Sequence, residues 1–265
     1  MRALPSPYPY RTALVTGASS GIGAAMARML AARGVTLVLV ARRTELLDKL
    51  AAELRAAHGI KAVALTADLT DPGQVHEVEE LIAGGEYPIE LLVNNAGIGN
   101  TGAFVEQTAQ AAHDRILLNT VAPTRLCRAA LPAMLEARRG GILNVSSLSC
   151  RLPSPHLATY AATKAFVTSF GESLAAELRG TGVRVTTLLP GLTRTEIIGP
   201  GRVDVNSLPR FVWLDAEHVA AAGLNAVATG RVTCVPGTGY RAAAALTTVL
   251  PAALKRAVSR TLWQH

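Results

Sequence analysis

Residues 12–23, TALVTGASSGIG, decide the fold of this chain. Thr12–Thr16 predicts a buried strand, and Gly21–Arg33 follows it with apolar residues at helical spacing. The glycines between them allow a tight turn and let the backbone come close to a bound group. The helix that follows offers free N–H groups and a partial positive charge at its start. The stretch therefore predicts a strand–turn–helix unit that binds an anion such as a pyrophosphate, although a glycine-rich turn alone is equally typical of an ordinary loop.

The same alternation of short apolar runs and longer helical patterns continues along the chain. Further strands are predicted at 36–40, 61–67, 89–93, 141–145, 184–189 and 231–235, and helices at 44–58, from 71–72 onward, and at 108–118, 121–135, 159–179 and 216–228. Strands that are apolar throughout are covered on both faces, which is typical of parallel strands. We therefore predict a single-domain α/β fold of the Rossmann type, a doubly wound, mostly parallel sheet with helices on both faces.

Composition excludes several classes of protein. The chain has 265 residues, of which 49% are hydrophobic and 17% charged, so it is long and apolar enough to bury a core and is not a disordered chain. Aromatic residues make up only 4%, which argues against a surface that stacks many bases. The net charge of +7 favours anionic partners in general. The arginines are scattered and nucleic-acid motifs are absent, so we expect no nucleic-acid partner.

The cysteines and the apolar runs bear on the compartment. Cys127, Cys150 and Cys234 are odd in number and widely spaced, which predicts neither a disulfide framework nor a metal site. The N-terminal MRALPSPYPY lacks the apolar core of a secretory signal, and no run of eighteen apolar residues occurs. These features predict a cytoplasmic protein.

The end of the second predicted strand indicates which dinucleotide would bind. An acidic residue at this position accepts the 2′-hydroxyl of the adenosine ribose, whereas an arginine pairs with a 2′-phosphate. The sequence here is Val40-Ala41-Arg42-Arg43, without a carboxylate. A guanidinium is a planar fork suited to phosphate oxygens, so we predict NADPH rather than NADH. The alternative is that both arginines are merely solvated at the start of a helix.

Two further strand ends carry polar residues. Asp68 follows the third strand, where its carboxylate is placed to accept from the adenine amino group; the alternative is an aspartate that only shapes a turn. Asn94-Asn95-Ala96-Gly97 ends the fourth strand, and the carboxyl ends of strands line the crevice of such sheets. Its alternative is an ordinary turn, because Asn and Gly tolerate left-handed backbone.

Tyr160 and Lys164 are four residues apart in a predicted helix and so share one face. A phenol has a pKa of about 10, and a neighbouring ammonium lowers that pKa. The phenol then exchanges a proton with a carbonyl or alcohol oxygen, and Ser147, thirteen residues earlier at a strand end, is placed to hydrogen-bond the same oxygen. Taken alone, Tyr-x-x-x-Lys is more often a surface helix.

The ordered set of motifs resembles the short-chain dehydrogenase/reductase family. It consists of Thr16-Gly-x-x-x-Gly-x-Gly23, Asn94-Asn-Ala-Gly97, Ser147, Tyr160-x-x-x-Lys164 and Pro190-Gly191, and spans about residues 10–240. The resemblance implies that Tyr160 is the catalytic acid and base. It also implies that Lys164 holds the nicotinamide ribose and lowers the Tyr160 pKa, that Ser147 polarises the substrate oxygen, and that Asn119 fixes a water in a proton relay. From the residues alone, Asn119 is only a polar kink inside a helix.

The resemblance also implies a set of cofactor contacts and a homodimer or homotetramer, and no metal site is predicted. The predicted NADP-binding residues are Gly17, Ser19, Ser20, Gly21, Ile22, Gly23, Arg42, Arg43, Asp68, Leu69, Asn95, Ala96, Gly97, Tyr160, Lys164, Pro190, Gly191 and Thr193. The predicted function is the reversible, NADPH-dependent reduction of a ketone or aldehyde. The alternative function, an NADP-binding regulator without turnover, is disfavoured because Ser147, Tyr160 and Lys164 are all present.

The substrate is expected between Leu148–His156 and a loop at residues 192–214. That loop contains apolar residues that would line an apolar pocket or simply pack the loop: Ile197, Ile198, Val203, Leu208, Phe211 and Trp213. We place the catalytic domain at 1–240 and a basic amphipathic C-terminal tail at 241–265. Such a helix can lie on an anionic membrane, but packing on the domain or on a second subunit is the favoured expectation.

Overall fold

The computed structural model describes residues 9–99, 102–195, 209 and 212–262. Within these residues the strands are β1 (Thr12–Thr16), β2 (Thr36–Ala41), β3 (Ala62–Thr66), β4 (Leu91–Asn94), β5 (Gly140–Val145), β6 (Val183–Leu188) and β7 (Thr233–Cys234). The α-helices are α1 (Gly21–Ala31), α2 (Thr44–His58), α3 (Pro72–Ala83), α4 (Ala109–Ile116), α5 (Ala122–Glu136), α6 (Ala158–Glu177), α7 (Ala216–Ala228), α8 (Thr238–Val249) and α9 (Ala252–Leu262).

All seven described strands form one sheet in the order β3-β2-β1-β4-β5-β6-β7, and each pairing is parallel. The predicted single-domain, doubly wound α/β fold is confirmed. The strand order reverses between β1 and β4, and a ligand crevice forms at the carboxyl ends of strands where this reversal occurs. The glycine turn after β1 and the polar residues after β4 therefore meet at one place.

Two hydrophobic cores cover the two faces of the sheet. Helices α1, α2 and α7 pack with residues such as Val15 and Leu39, and helices α3, α5 and α6 pack with residues such as Leu14 and Val38. All four of these side chains are fully buried. Neighbouring residues of a strand point to opposite faces, so continuous apolar runs fill both cores.

The two helices predicted at 108–118 and 121–135 are joined without a break. A π-helical turn at Leu117–Val121 connects α4 to α5. Pro123 has no N–H to donate to the carbonyl of Asn119, so regular α-helical bonding cannot continue there. The turn places Asn119 in a wider coil, and turns of this kind are frequent at functional sites.

The C-terminal region differs most from the predicted boundaries. Strand β7 is shorter than the predicted 231–235, because only Thr233 and Cys234 pair with β6 and Pro236 lacks a backbone donor. Helix α8 begins at Thr238, before the predicted start of the tail at residue 241, and Leu250-Pro251 separates it from α9. Among the described helices, none has the length and apolar character needed to span a membrane.

Candidate active site

The turn after β1 leaves no space for side chains at two of its glycines. A Cβ at Gly17, whose φ is +65°, would lie 2.8 Å from the Cα of Ala96. A Cβ at Gly23 would lie 2.5 Å from Nδ2 of Asn95 and would also overlap the carbonyl oxygen of Gly17. The close approach of β1, α1 and the segment after β4 therefore requires glycine at both positions.

The first turn of α1 offers unpaired donors. Ser20 is its N-cap, its side chain makes no capping hydrogen bond, and the first turn contains no acidic residue. The first N–H groups of a helix lack an intrahelical partner, and no described backbone group accepts from Gly21, Ile22 or Gly23. These amides are available to an anion at the positive end of the helix dipole.

Thr16 and Asn95 hold the glycine turn against the end of β4. The Thr16 hydroxyl accepts from the amides of Asn95 and Ala96, each at 3.0 Å, and donates to the carbonyl of Val93 at 3.2 Å. The side-chain Nδ2 of Asn95 donates to the carbonyl of Thr16 at 3.0 Å and to that of Gly17 at 3.2 Å. The side chain of Asn95 and the backbone of Ala96 thus hold the glycine turn, which we call the cradle, against the end of β4.

Arg43 forms the contact between the end of β2 and the glycine turn. Its Nη2 donates to Oγ of Ser20 at 2.7 Å and to Oγ of Ser19 at 3.1 Å, and its Nε donates to Oγ of Ser19 at 3.3 Å. The guanidinium and both hydroxyls form a polar cluster beside the start of α1. Arg42 and Arg43 were both predicted to contact the cofactor, and the structure brings Arg43 to the turn.

Arg42 and Asp68 lie together at the neighbouring strand ends. Nη1 of Arg42 is 3.7 Å from Oδ2 of Asp68, and both side chains are partly exposed. The other carboxylate oxygen of Asp68 accepts from the amide and hydroxyl of Thr70 at 2.9 and 2.8 Å. Asp68 therefore shapes the turn after β3, and its contact with the adenine stays a prediction. The Leu69 side chain is buried in the core, which leaves only its backbone for a ligand.

A cavity of about 460 Å³ opens at this phosphate end of the site. Its walls come from α1, α2 and the segments around Arg194 and Asp215, and include Ser19, Ser20 and Gly21. The cavity does not extend to Tyr160. Most of its lining belongs to the groove between α1 and α2, so only its edge at Ser19–Gly21 adjoins the free amides at the start of α1.

The chemical end of the site is built on α6 and on the end of β5. Tyr160 and Lys164 lie one turn apart on α6, and Nζ of Lys164 is 5.7 Å from the centre of the Tyr160 ring. Ser147, which follows β5 and caps a 3-10 turn at Leu148–Arg151, lies close enough to the phenol of Tyr160 to lower its pKa. Nζ of Lys164 donates to the carbonyl of Val145 at 2.8 Å. The three predicted side chains therefore converge.

Burial governs the protonation of this pair in the free chain. Burial raises the pKa of Tyr160 above its usual value, and the neighbouring hydroxyl of Ser147 only partly offsets this effect. Burial also lowers the pKa of Lys164 to about 8. In the free chain burial disfavours the charged form of both groups, and the Lys164 ammonium donates to the carbonyl of Val145. The expectation that Lys164 lowers the Tyr160 pKa in the cofactor-bound protein stays a prediction.

The structure distinguishes the two adjacent serines. The Ser146 hydroxyl is buried and donates to the carbonyl of Lys164 at 2.7 Å, with Thr168 Oγ1 at 2.8 Å. Ser146 therefore anchors α6 to β5. The Ser147 hydroxyl accepts from the amide of Ser149 at 3.2 Å and faces Tyr160. Of the two serines, Ser147, thirteen residues before Tyr160, is therefore the one whose hydroxyl lies beside the phenol.

Asn119 is almost fully buried, and its amide is held by the protein. Oδ1 accepts from the amide of Ile98 at 3.0 Å, and Nδ2 donates to the Ile98 carbonyl and to Thr163 Oγ1, each at 3.1 Å. Thr163 in turn donates to the carbonyl of Tyr160 at 2.8 Å. The side chain thus ties the segment after β4 to α6. Its role with a relay water stays a prediction.

The segment after β6 passes the site and is held by tertiary contacts. The amide of Leu148 donates to the carbonyl of Pro190 at 3.0 Å, which joins it to the serine segment. Thr193 is buried, and its hydroxyl donates to the carbonyl of Gly191 at 3.0 Å. The ring of Tyr240 occupies the space where a Cβ of Gly191 would stand.

The structure describes only part of the two segments that were predicted to line the substrate. The amide of Gly102 donates to the carbonyl of His156 at 3.1 Å, and Ser259 of α9 donates to the carbonyl of Pro153. The C-terminal helices therefore pack beside the Leu148–His156 segment. Trp213 is half-buried. The other apolar residues predicted to line the pocket lie outside the described residues: Ile197, Ile198, Val203, Leu208 and Phe211.

Sequence reasoning gave no role to several residues that shape the site. Thr16 and Thr163 stood in quoted motifs, but only the folded chain shows what their hydroxyls contact. Cys150 lies close enough to Tyr160 and Lys164 to affect the pKa of both. Tyr240 is remote in sequence from every motif, and no pattern in the sequence indicated its contact with Gly191.

The residues present fit a dinucleotide. The free amides at the start of α1 suit a pyrophosphate, and Arg43 with its serines adds a cation beside them. A Cβ at Gly97 would lie 3.4 Å from Nζ of Lys164, so the segment after β4 connects the phosphate end to the chemical end.

Comparison with known proteins agrees with this geometry. Residues 11–204 match the family model for short chain dehydrogenases. A short-chain dehydrogenase from Sphingobium yanoikuyae, solved in complex with NADPH, is 38% identical, with a TM-score of 0.81 over 91% of this chain and 96% of that one. A bulky-bulky ketone specific alcohol dehydrogenase from Comamonas testosteroni is 34% identical, with a TM-score of 0.78 over 91% and 95%.

A curated relative aligns over a shorter part of its own length. A short chain dehydrogenase from Pseudocercospora fijiensis is 37% identical over 195 residues, which are 72% of this chain and 62% of that protein. This chain therefore spans less than two thirds of that relative.

Proposed function

The chain belongs to the short-chain dehydrogenase family, and from this premise we propose that it is an NADPH-dependent oxidoreductase that reversibly reduces a ketone or aldehyde to the alcohol. One observation carries the proposal. The phenol of Tyr160 lies beside Ser147 and one helical turn from Lys164, whose Nζ reaches Gly97 in the segment after β4. The arrangement provides a proton donor where the family binds its nicotinamide cofactor.

The raised pKa of Tyr160 suits the reductive direction. A phenol whose pKa lies above 10 is protonated throughout the neutral range and is ready to donate. In the proposed reaction Ser147 donates a hydrogen bond to the substrate carbonyl oxygen, and Tyr160 transfers its proton to that oxygen as the alcohol forms. When bound, the reduced nicotinamide supplies the hydride to the carbonyl carbon. In the reverse direction the phenolate accepts the proton, so we expect oxidation to accelerate at alkaline pH.

The proposed cofactor contacts follow the placement of the predicted residues. The amides of Gly21–Gly23 and the cluster of Ser19, Ser20 and Arg43 would hold the phosphates, with Arg43 and Arg42 beside the 2′-phosphate. Lys164 would hold the nicotinamide ribose. The Sphingobium neighbour was solved with NADPH, which supports the choice of the phosphorylated dinucleotide.

We further propose that the substrate is apolar. The Comamonas neighbour is described as specific for bulky-bulky ketones, and the 192–214 loop of this chain is rich in apolar residues. The assembly is proposed to be a homodimer or homotetramer, which light scattering after size-exclusion chromatography tests.

The test is NADPH oxidation by the full chain against a panel of carbonyl compounds, with bulky apolar ketones and small polar sugars of matched carbonyl reactivity. We expect turnover of bulky ketones with NADPH and a lower kcat/KM with NADH. Reduction of sugars alone would refute the apolar substrate. NADPH binding without turnover of any compound would instead support the rival function, a dinucleotide-binding regulator.

A further inference from the structure

Tyr240, in the first turn of α8, joins two chain segments that lie twenty residues apart. Its hydroxyl accepts from the amide of Leu192 at 3.1 Å and donates to the carbonyl of Val212 at 2.5 Å. One phenol therefore satisfies a donor at the start of the 192–214 loop and an acceptor near its end. Burial raises the pKa of Tyr240, so the hydroxyl keeps its proton in the neutral range.

The ring of Tyr240 also packs closely against the backbone of Gly191. It occupies the space beside the Cα of Gly191 that a Cβ would need. Gly237, at the start of α8, has a φ of +83°, and a Cβ there would lie 3.6 Å from Cδ2 of Tyr240. The left-handed backbone at Gly237 turns the chain into α8 and brings the ring over Gly191.

The segments joined by Tyr240 also pair with each other. The amide of Leu214 donates to the carbonyl of Leu192 at 2.8 Å, and the amide of Arg194 donates to the carbonyl of Leu214 at 3.0 Å. Thr193 lies between these bonds and is buried. The ladder and the phenol together fix the backbone from Gly191 to Arg194.

We propose that Tyr240 is a positioning residue that holds the Pro190–Thr193 segment in the shape required to bind the nicotinamide end of the cofactor. This role rests on the proposed function, because it assigns that segment to the cofactor. Tyr240 acts through the backbone of Gly191 and Leu192 and touches no reacting atom. Removing its hydroxyl leaves the amide of Leu192 and the carbonyl of Val212 without this partner, so the segment loses part of its restraint.

Tyr240→Phe tests the role, because it keeps the ring on Gly191 and removes both hydrogen bonds. The matched control is Tyr10→Phe, since the Tyr10 hydroxyl also donates to a backbone carbonyl, that of Val227 at 3.3 Å, away from the proposed site. We would measure the NADPH Kd from cofactor fluorescence, amide-resolved hydrogen exchange at Leu192 in the free protein, and the Tm.

In Tyr240→Phe we expect the NADPH Kd to rise about fivefold and exchange at Leu192 to accelerate about tenfold. We expect KM for NADPH to change more than kcat, and Tyr10→Phe to leave Kd and the Leu192 exchange unchanged. Faster exchange with a wild-type Kd overturns the positioning role and leaves a structural bond only. Wild-type exchange and wild-type Kd in Tyr240→Phe overturn the proposal entirely. A wild-type chain that binds neither NADPH nor NADH refutes the proposed function itself, and the positioning role with it.

Discussion

The phosphate end and the chemical end of the site are built on different principles. At the phosphate end, backbone amides and small residues form the cradle, and Thr16 and Asn95 fix it through bonds to main-chain atoms. At the chemical end, ionisable side chains from α6 and the end of β5 are buried together, and burial sets their protonation.

The difference lies in which change each end tolerates. The cradle depends on space, so an added methyl group is harmful and the charge of nearby side chains tunes selectivity. The chemical end depends on single atoms, because one hydroxyl supplies the proton and one amine supplies the cation.

Removing the hydroxyl of Tyr160 is expected to have the largest effect. In Tyr160→Phe we expect kcat to fall about a thousandfold, because the proton donor is lost while the ring stays in place. NADPH Kd and Tm should change little, as fluorescence titration and thermal unfolding would show. Tyr10→Phe, which also loses one buried phenol hydroxyl, should retain full turnover. A Tyr160→Phe enzyme with a substantial fraction of wild-type kcat would contradict the assignment.

Lys164 predicts a distinctive dependence of stability on pH. The folded chain has a Lys164 pKa of about 8, below the usual 10.5, so the unfolded chain binds more protons between these values. The free energy of unfolding of the wild type should therefore rise with pH in this window, relative to Lys164→Met, by about 2 to 3 kcal/mol from pH 7 to 10. Urea unfolding of both proteins at several pH values measures the difference. A difference that is independent of pH would show that Lys164 is not desolvated.

Gly23→Ala tests the dependence of the phosphate end on space. The new Cβ would lie 2.5 Å from Nδ2 of Asn95 and would displace this side chain, which holds the turn through its bonds to Thr16 and Gly17. We expect the NADPH Kd to rise roughly fiftyfold, in line with the cost of overpacking. Gly239→Ala is the matched control, because a Cβ there meets nothing within 4 Å and binding should be unchanged. Equal affinities in both variants would contradict the cradle geometry.

Arg43→Ala tests how charge at the same end sets selectivity. The guanidinium lies on Ser19 and Ser20, beside the proposed 2′-phosphate, but is exposed to solvent. We expect kcat/KM for NADPH to fall about tenfold while that for NADH stays nearly constant. Arg42→Ala should have a smaller effect, because Arg42 lies beside Asp68. An equal fall in kcat/KM for NADPH and NADH would show that Arg43 does not set the preference between the two cofactors.

Much of the fold and of the site was predictable because the relevant signals are local. The β1–turn–α1 unit is contiguous, and Tyr160 and Lys164 are one helical turn apart, so spacing alone places each pair. The apolar strands predicted a sheet covered on both faces, which the two cores confirm. The π-helical turn at Leu117–Val121 was not predicted, because a proline at position 123 is equally typical of the start of a separate helix.

The sequence was sufficient to predict the parallel α/β architecture and the place of the glycine turn, because periodicity and short spacing are set by backbone geometry. The family resemblance then identified Ser147, Tyr160 and Lys164 as the residues that carry the chemistry. The folded chain was needed to show that Arg43 reaches the turn, that Arg42 lies beside Asp68, that burial raises the Tyr160 pKa and that Tyr240 bonds both ends of the 192–214 loop. Each of these depends on distances between segments remote in sequence, or on exclusion of water from a charged group. Neither quantity exists until the chain has folded.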